Sequence, residues 1–125
     1  MTPDADDRAC ETPAANAHAR TRACGRFTVV EVSGEIDLAT AESLTEHLDA
    51  ATARGEPDVL VDLRRVEFFD CSGLRVLCRA AARATERGGR LRLVSDQPRI
   101  HRLLMGAGLL GRFPPLPDVP GEGRE

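Results

Sequence analysis

Phe68-Phe69-Asp70-Cys71-Ser72-Gly73-Leu74-Arg75-Val76-Leu77 is the stretch around which this chain is organised. Just upstream, Val59-Leu60-Val61 is a short apolar run rich in β-branched residues, which reads as a buried strand spanning Asp58 to Leu63. Downstream, Leu74, Leu77, Cys78 and Ala81 recur at helical spacing. They predict a helix from about Gly73 to Arg87, ended by Gly88-Gly89. A strand that runs into a helix sets Asp-Cys-Ser-Gly at the helix amino end, where backbone N–H groups and the helix dipole favour negative charge. A phosphate on Ser72 would find a partly prepared setting there. Gly73 removes side-chain bulk beside the hydroxyl and leaves it open to another protein's active site. The plainer reading is that Asp70 or Ser72 only caps the helix.

The pattern repeats outward. His18 to Cys24 alternates weakly and predicts an edge strand; Gly25-Arg26 turns into a better strand, Phe27 to Ser33. Gly34-Glu35-Ile36-Asp37 leads into a helix from about Ala41 to Arg54, with Ala41, Leu44, Leu48 and Ala51 on one face. Thr40 or Asp37 can cap it, and Gly55 and Pro57 stop it. Arg90 to Val94 is the next strand. A third helix follows, capped by Asp96 or Gln97, with Pro98 in its first turn and Ile100, Leu103, Leu104 and Ala107 as its buried stripe. Leu109 to Phe113 reads as a last short strand. Residues 1–18, rich in Ala, Asp, Pro and Thr without periodicity, read as a disordered tail. Residues 19–113 form the domain, and the Pro/Gly-rich 114–125 form a second tail.

This order of elements predicts an α/β fold: one domain with a mixed, mostly parallel β-sheet and helices packed on it. Right-handed crossovers put the Asp70–Gly73 loop at the carboxyl edge of the sheet, where α/β proteins place their sites.

Composition removes several function classes. All 17 basic residues are arginine, which excludes a Schiff-base lysine, a GK[ST] phosphate loop and a Ser-Lys dyad. The net charge of −3 offers no basic footprint for nucleic acid. With Trp and Tyr absent, stacking platforms are not expected. No apolar run reaches the ~18–20 residues that span a bilayer, and the acidic N-terminus (Asp4, Asp6, Asp7) is unlike a signal peptide. Cys10, Cys24, Cys71 and Cys78 lack CxxC spacing and read as reduced thiols of a cytoplasmic protein. No metal-ligand spacing is present, so neither metal nor cofactor is expected.

Val32-Ser-Gly-Glu-Ile-Asp37, Thr40-Ala41 at a helix start, Phe69-Asp-Cys-Ser-Gly-Leu74, and Gly88-Gly89 before a strand together resemble the STAS domain. More narrowly they resemble the bacterial anti-sigma-factor antagonists. The likeness runs from about Phe27 to Phe113. It implies a binding module and not an enzyme. The serine in the position of Ser72 is phosphorylated by the partner, an anti-sigma factor that is also a serine kinase. The unmodified antagonist binds that kinase and frees the sigma factor, and a PP2C-type phosphatase resets the switch. Placement at the same sheet edge and helix start makes Glu35, Asp37, Thr40, Asp70, Cys71, Gly73, Arg75 and Arg79 the expected docking surface around Ser72, on a monomer or weak dimer. The alternative is a STAS subunit of another assembly, a multi-STAS scaffold or a lipid-transport complex, whose binding is not controlled by phosphorylation of Ser72. Two departures stand out: Cys71 replaces the first serine of the family's common Ser-Ser, and the usual C-terminal helix is missing.

Three rival signals are weaker. A thiol near a helix N-terminus can be reactive, but His18, His47 and His101 all lie on other elements and leave Cys71 without a base. Gly106-Ala-Gly108-Leu-Leu-Gly111 spells GxGxxG after a helix and before Pro114-Pro115, the wrong context for a dinucleotide. Arg75, Arg79 and Arg83 recur every four residues. They read either as a solvated face or as a basic ridge that meets an acidic groove on the partner.

Overall fold

A computed structural model describes residues 12–120. Residues 1–11, Cys10 among them, and 121–125 fall within the expected tails and lie outside the described residues. The elements are β1 (Ala19–Cys24), β2 (Phe27–Ile36), α1 (Ala41–Ala51), β3 (Asp58–Phe69), α2 (Cys71–Glu86), β4 (Arg90–Val94) and α3 (Pro98–Gly106). One sheet has the order β1-β2-β3-β4, with β1 antiparallel to β2 and the other pairs parallel. This is the mixed, mostly parallel α/β sheet that the sequence predicts.

Strand alternation sorts the side chains between two faces. Val30 and Val32, Val59 and Val61, and Leu91 and Leu93 point to one face. There they close the main core with Leu44 and Leu48 of α1, Leu74, Leu77 and Ala84 of α2, and Ile100 and Leu104 of α3. All three helices therefore cover the same face; for α1 and α2, which link parallel neighbours stepping in one direction along the sheet, right-handed crossovers require it. α2 ends at the predicted place in a Schellman cap. Gly88 takes φ +80°, its N–H donates to Thr85 C=O at 3.0 Å, and Gly89 N–H donates to Ala84 C=O at 2.8 Å.

Several expectations are corrected. β3 runs to Phe69, well past Leu63, because two register shifts against β2 carry its polar second half along the sheet: Glu31 faces Asp62 but Ser33 faces Arg65, and Gly34 faces Val66 but Glu35 faces Phe68. Each shift adds a residue on β3, leaving bulge carbonyls in need of donors. Gln97, expected as a helix cap, makes no side-chain cap bond. Its amide nitrogen instead reaches the carbonyls of Leu63 (3.3 Å), Arg64 (3.0 Å) and Val66 (2.9 Å), while Arg99 donates to Glu67 C=O at 2.7 Å. α1 ends at Ala51, before the expected Arg54, and α2 begins at Cys71, before Gly73. Ala107 is exposed and does not extend the buried stripe of α3. Leu109 to Phe113 is a turn where a strand was expected: Leu109 N–H donates to Leu104 C=O at 2.8 Å and Phe113 N–H to Leu109 C=O at 2.9 Å.

Over the described residues 114–120 the chain forms no helix, yet it stays on the domain as a strap. Leu116 pairs with the end of β4, donating its N–H to Leu93 C=O (2.9 Å) and accepting from Ser95 N–H (2.8 Å). Val119 is fully buried with Val29, Leu60 and Val94 on the sheet face that the helices leave open.

Candidate functional site

At the carboxyl edge of the sheet, β2 and β3 deliver their following loops side by side: Asp70 N–H donates to Ile36 C=O at 3.2 Å. The Asp37–Thr40 loop closes on itself. Asp37 Oδ1 accepts the N–H groups of Ala39 (2.9 Å) and Thr40 (3.1 Å), and Thr40 Oγ1 accepts Asp37 N–H (2.9 Å) and donates to Glu35 C=O (2.7 Å). Such an Asx-type turn fixes the loop from within. Asp37 and Thr40 thus shape the loop, and neither side chain makes the predicted cap bond to α1. What the loop presents is Leu38, 82% exposed, with Glu35 exposed beside it.

Asp70 is the N-cap of α2, in extended conformation, and its carboxylate accepts Ser72 N–H at 2.8 Å. Its backbone C=O accepts Gly73 N–H (3.0 Å) and Leu74 N–H (3.2 Å). The setting predicted to await a phosphate is therefore already occupied by a carboxylate. Ser72 is half-buried in the first turn and Cys71 is exposed at its start. Gly73 is buried, and its role differs from the one expected. A Cβ there would stand 2.5 Å from Phe69 Cζ and 2.7 Å from Cε1, so the missing side chain makes room for the Phe69 ring and not for a partner.

These pieces enclose a groove lined by Leu38 and Ala41 on one side and Ser72, Arg75, Val76 and Arg79 on the other. Arg75 and Arg79 are exposed, with no hydrogen bond or ion pair among the described residues. Arg83 leaves the ridge: it is half-buried, and its Nε donates to Thr52 Oγ1 at 3.1 Å, tying α2 to the end of α1. The groove joins Ser72, Arg75 and Arg79 of the predicted surface. Asp37, Thr40, Asp70 and Gly73 hold its walls in place from behind. Sequence reading missed Leu38, Ala41 and Val76. An apolar residue next to Asp37 looks like any buried leucine until the turn that throws it outward is seen.

The groove is apolar at Leu38, Ala41 and Val76 and carries the Ser72 hydroxyl and two arginines. Among the described residues no three His, Cys, Asp or Glu side chains come together as metal ligands, and no helix is long and apolar enough to cross a membrane. His47 is buried between Thr21 Oγ1 (2.6 Å) and Ala14 C=O (3.1 Å), away from Cys71. The GxGxxG letters fall at the end of α3 and the turn after it, with Gly108 at φ +75°.

A family model described as "Mlab, STAS domain" matches residues 19–116. This chain is a STAS domain. Over 87 residues the STAS domain is 30% identical to the anti-sigma F factor antagonist of Paenibacillus polymyxa, covering 69% of this chain and 74% of that protein. Its fold matches the crystal structure of an anti-sigma factor antagonist from Mycobacterium paratuberculosis with a TM-score of 0.73. The two are 28% identical over 86% of this chain and 92% of that one. The Bacillus cell-fate determinant SpoIIAA, solved in its phosphorylated form, shares the fold at a TM-score of 0.64 and 21% identity, over 83% of this chain and 93% of that one. The STAS domain is by kinship a regulatory binding protein and not an enzyme.

Proposed function

We propose that this STAS domain is a cytoplasmic anti-sigma-factor antagonist. Its unphosphorylated form binds an anti-sigma factor with serine kinase activity through the Leu38–Arg79 groove, and so releases a sigma factor. The kinase then ends the complex by moving the γ-phosphoryl group of ATP to Ser72 Oγ. The γ-phosphorus bond to the bridging oxygen breaks, ADP leaves, and the hydroxyl proton passes to a base of the kinase. A PP2C-type phosphatase restores the hydroxyl by hydrolysis. The observation that carries this reading is Ser72 in the wall of the groove, beside apolar Leu38 and Val76 and two unpaired arginines. Kinship with antagonists of anti-sigma factors supports it.

The electrostatics agree. A phosphate brings about −1.5 to −2 charges at neutral pH. Inside a docked, largely dry interface that charge is expensive unless it is paired. On the free protein it stays in water at the groove rim. Binding is therefore weakened far more than folding.

The test is affinity capture from the native host with wild type, Ser72→Ala and Ser72→Asp side by side. A serine-kinase anti-sigma factor held by wild type and Ser72→Ala, and lost by Ser72→Asp, is the expected result. An identical partner set on all three baits would overturn the switch and favour a STAS subunit of another assembly that docks by the same edge.

A further inference from the structure

The groove at the carboxyl edge is lopsided in charge. Leu38, Ala41 and Val76 make it apolar, and among the described residues its charged lining is Arg75 and Arg79 alone. The two arginines stand four residues apart on α2, so they share one face with Cβ atoms about 5–6 Å apart. Neither has a hydrogen bond or ion pair among the described residues. The carboxylates of the two flanking loops are committed elsewhere: Asp37 holds the N–H groups of Ala39 and Thr40, and Asp70 holds that of Ser72. The chain as a whole is acidic, at −3, so this pair of cations runs against its overall charge. Opposite them stands Leu38, 82% exposed, on a turn fixed from within that loses little freedom on docking.

We propose that the groove selects an acidic partner segment. One apolar side chain seats against Leu38, Ala41 and Val76, while two carboxylates one helical turn apart meet Arg75 and Arg79. An amphipathic helix of the anti-sigma factor, with Asp or Glu at i and i+4 beside a leucine, has that pattern. This rests on the docking reading above and requires no modification of the domain. Each arginine offers a carboxylate a planar fork, and nothing within the fold competes for it. Charge at the rim governs encounter and choice of partner, whereas the seated apolar side chain governs how long the complex lasts.

The experiment uses the full chain and two synthetic helical peptides with the same leucine face. One carries Glu and the other Lys at the i and i+4 positions beside it. In amide NMR titrations the Glu peptide is expected to move the signals of Leu38, Ala41 and Val76. It should bind at least about fivefold tighter than the Lys peptide at ~50 mM NaCl, and the gap should close at ~500 mM. Arg75→Gln/Arg79→Gln is expected to bind the two peptides alike. Arg83→Gln, which removes a charge from the same helix outside the groove, should behave as wild type, and Leu38→Ala should weaken binding while keeping the preference for Glu. Equal affinity of wild type for both peptides, a preference for Lys, or no binding of either would overturn the proposal. So would a Glu preference that survives the loss of both arginines. Affinity for the captured anti-sigma factor separates this outcome from the parent reading. If Arg75→Gln/Arg79→Gln holds that factor as tightly as wild type does, the acidic segment is lost and the docking reading stands. If the Glu peptide seats in the groove and no anti-sigma factor is captured, the groove chemistry stands and the parent reading fails.

Discussion

Gly73 shows how a residue chosen for one reason can be kept for another. Its small size reads in the sequence as access for a partner, but the structure fills the space with the Phe69 ring. A methyl group at 73 must push an aromatic ring that closes the core at the end of β3. Gly73→Ala is therefore expected to lower unfolding free energy by about 1–3 kcal/mol in urea titration, the usual penalty of overpacking. Phe69→Leu in the Gly73→Ala background should recover part of that loss. If Gly73→Ala has the stability of wild type, the ring is not held as described. Asp70 has a comparable double duty. It caps α2 through the Ser72 amide and, by following β3 directly, joins the end of the strand to the start of the helix.

At the scale of elements, the open face of β3 carries a buried charge. Asp62 accepts from Arg64 at the Nε (2.9 Å), at the terminal nitrogen (2.8 Å) and at the backbone N–H (3.1 Å). Burial pushes the carboxyl up, but the Arg64 hydrogen bonds and the charges of Arg64 and Arg65 outweigh it, so its pKa falls below the ordinary 3.8. A depressed carboxyl stabilises the fold above its unfolded pKa, and that contribution is lost as pH falls through the lower folded value. Urea midpoints taken from about pH 5 downward should therefore drop more steeply for wild type than for Asp62→Asn; parallel curves would contradict this. The same strand shows where sequence reading runs out. β4 and the end of α2 were legible because Arg90–Val94 alternates cleanly and Gly88-Gly89 is an unmistakable stop. The second half of β3, Arg64-Arg65-Val66-Glu67, was not. Its polar letters lie in a strand only because bulges shift its register and Gln97 and Arg99, some thirty residues away, satisfy its carbonyls. No local window contains that information. The groove was half legible for the same reason. Ser72, Arg75 and Arg79 share one helix and follow from spacing, whereas Leu38 is brought to them by the sheet.

Over the whole molecule, the helices on one face are balanced by a thin cover on the other. Val119 seals Val29, Leu60 and Val94, and Leu116 extends the sheet beside β4. Val119→Ala is expected to lower unfolding free energy by about 1–2 kcal/mol, the loss of two buried methyl groups and the cavity they leave. A change within error would mean the strap covers the sheet without stabilising it. The groove, at the carboxyl edge, lies apart from this cover, so its shape depends on the main core more than on the strap. One consequence follows from the way Ser72 is held. Its backbone is wound into α2, pinned by Asp70 in front and by Phe69 beneath Gly73, so no extended peptide around this serine exists on the native surface. The kinase of the proposed switch would have to take a finished contour and could not work from a string of letters. Misfolded or broken copies would then carry no mark and answer no reader, and each would drop out of the conversation without giving a false reply.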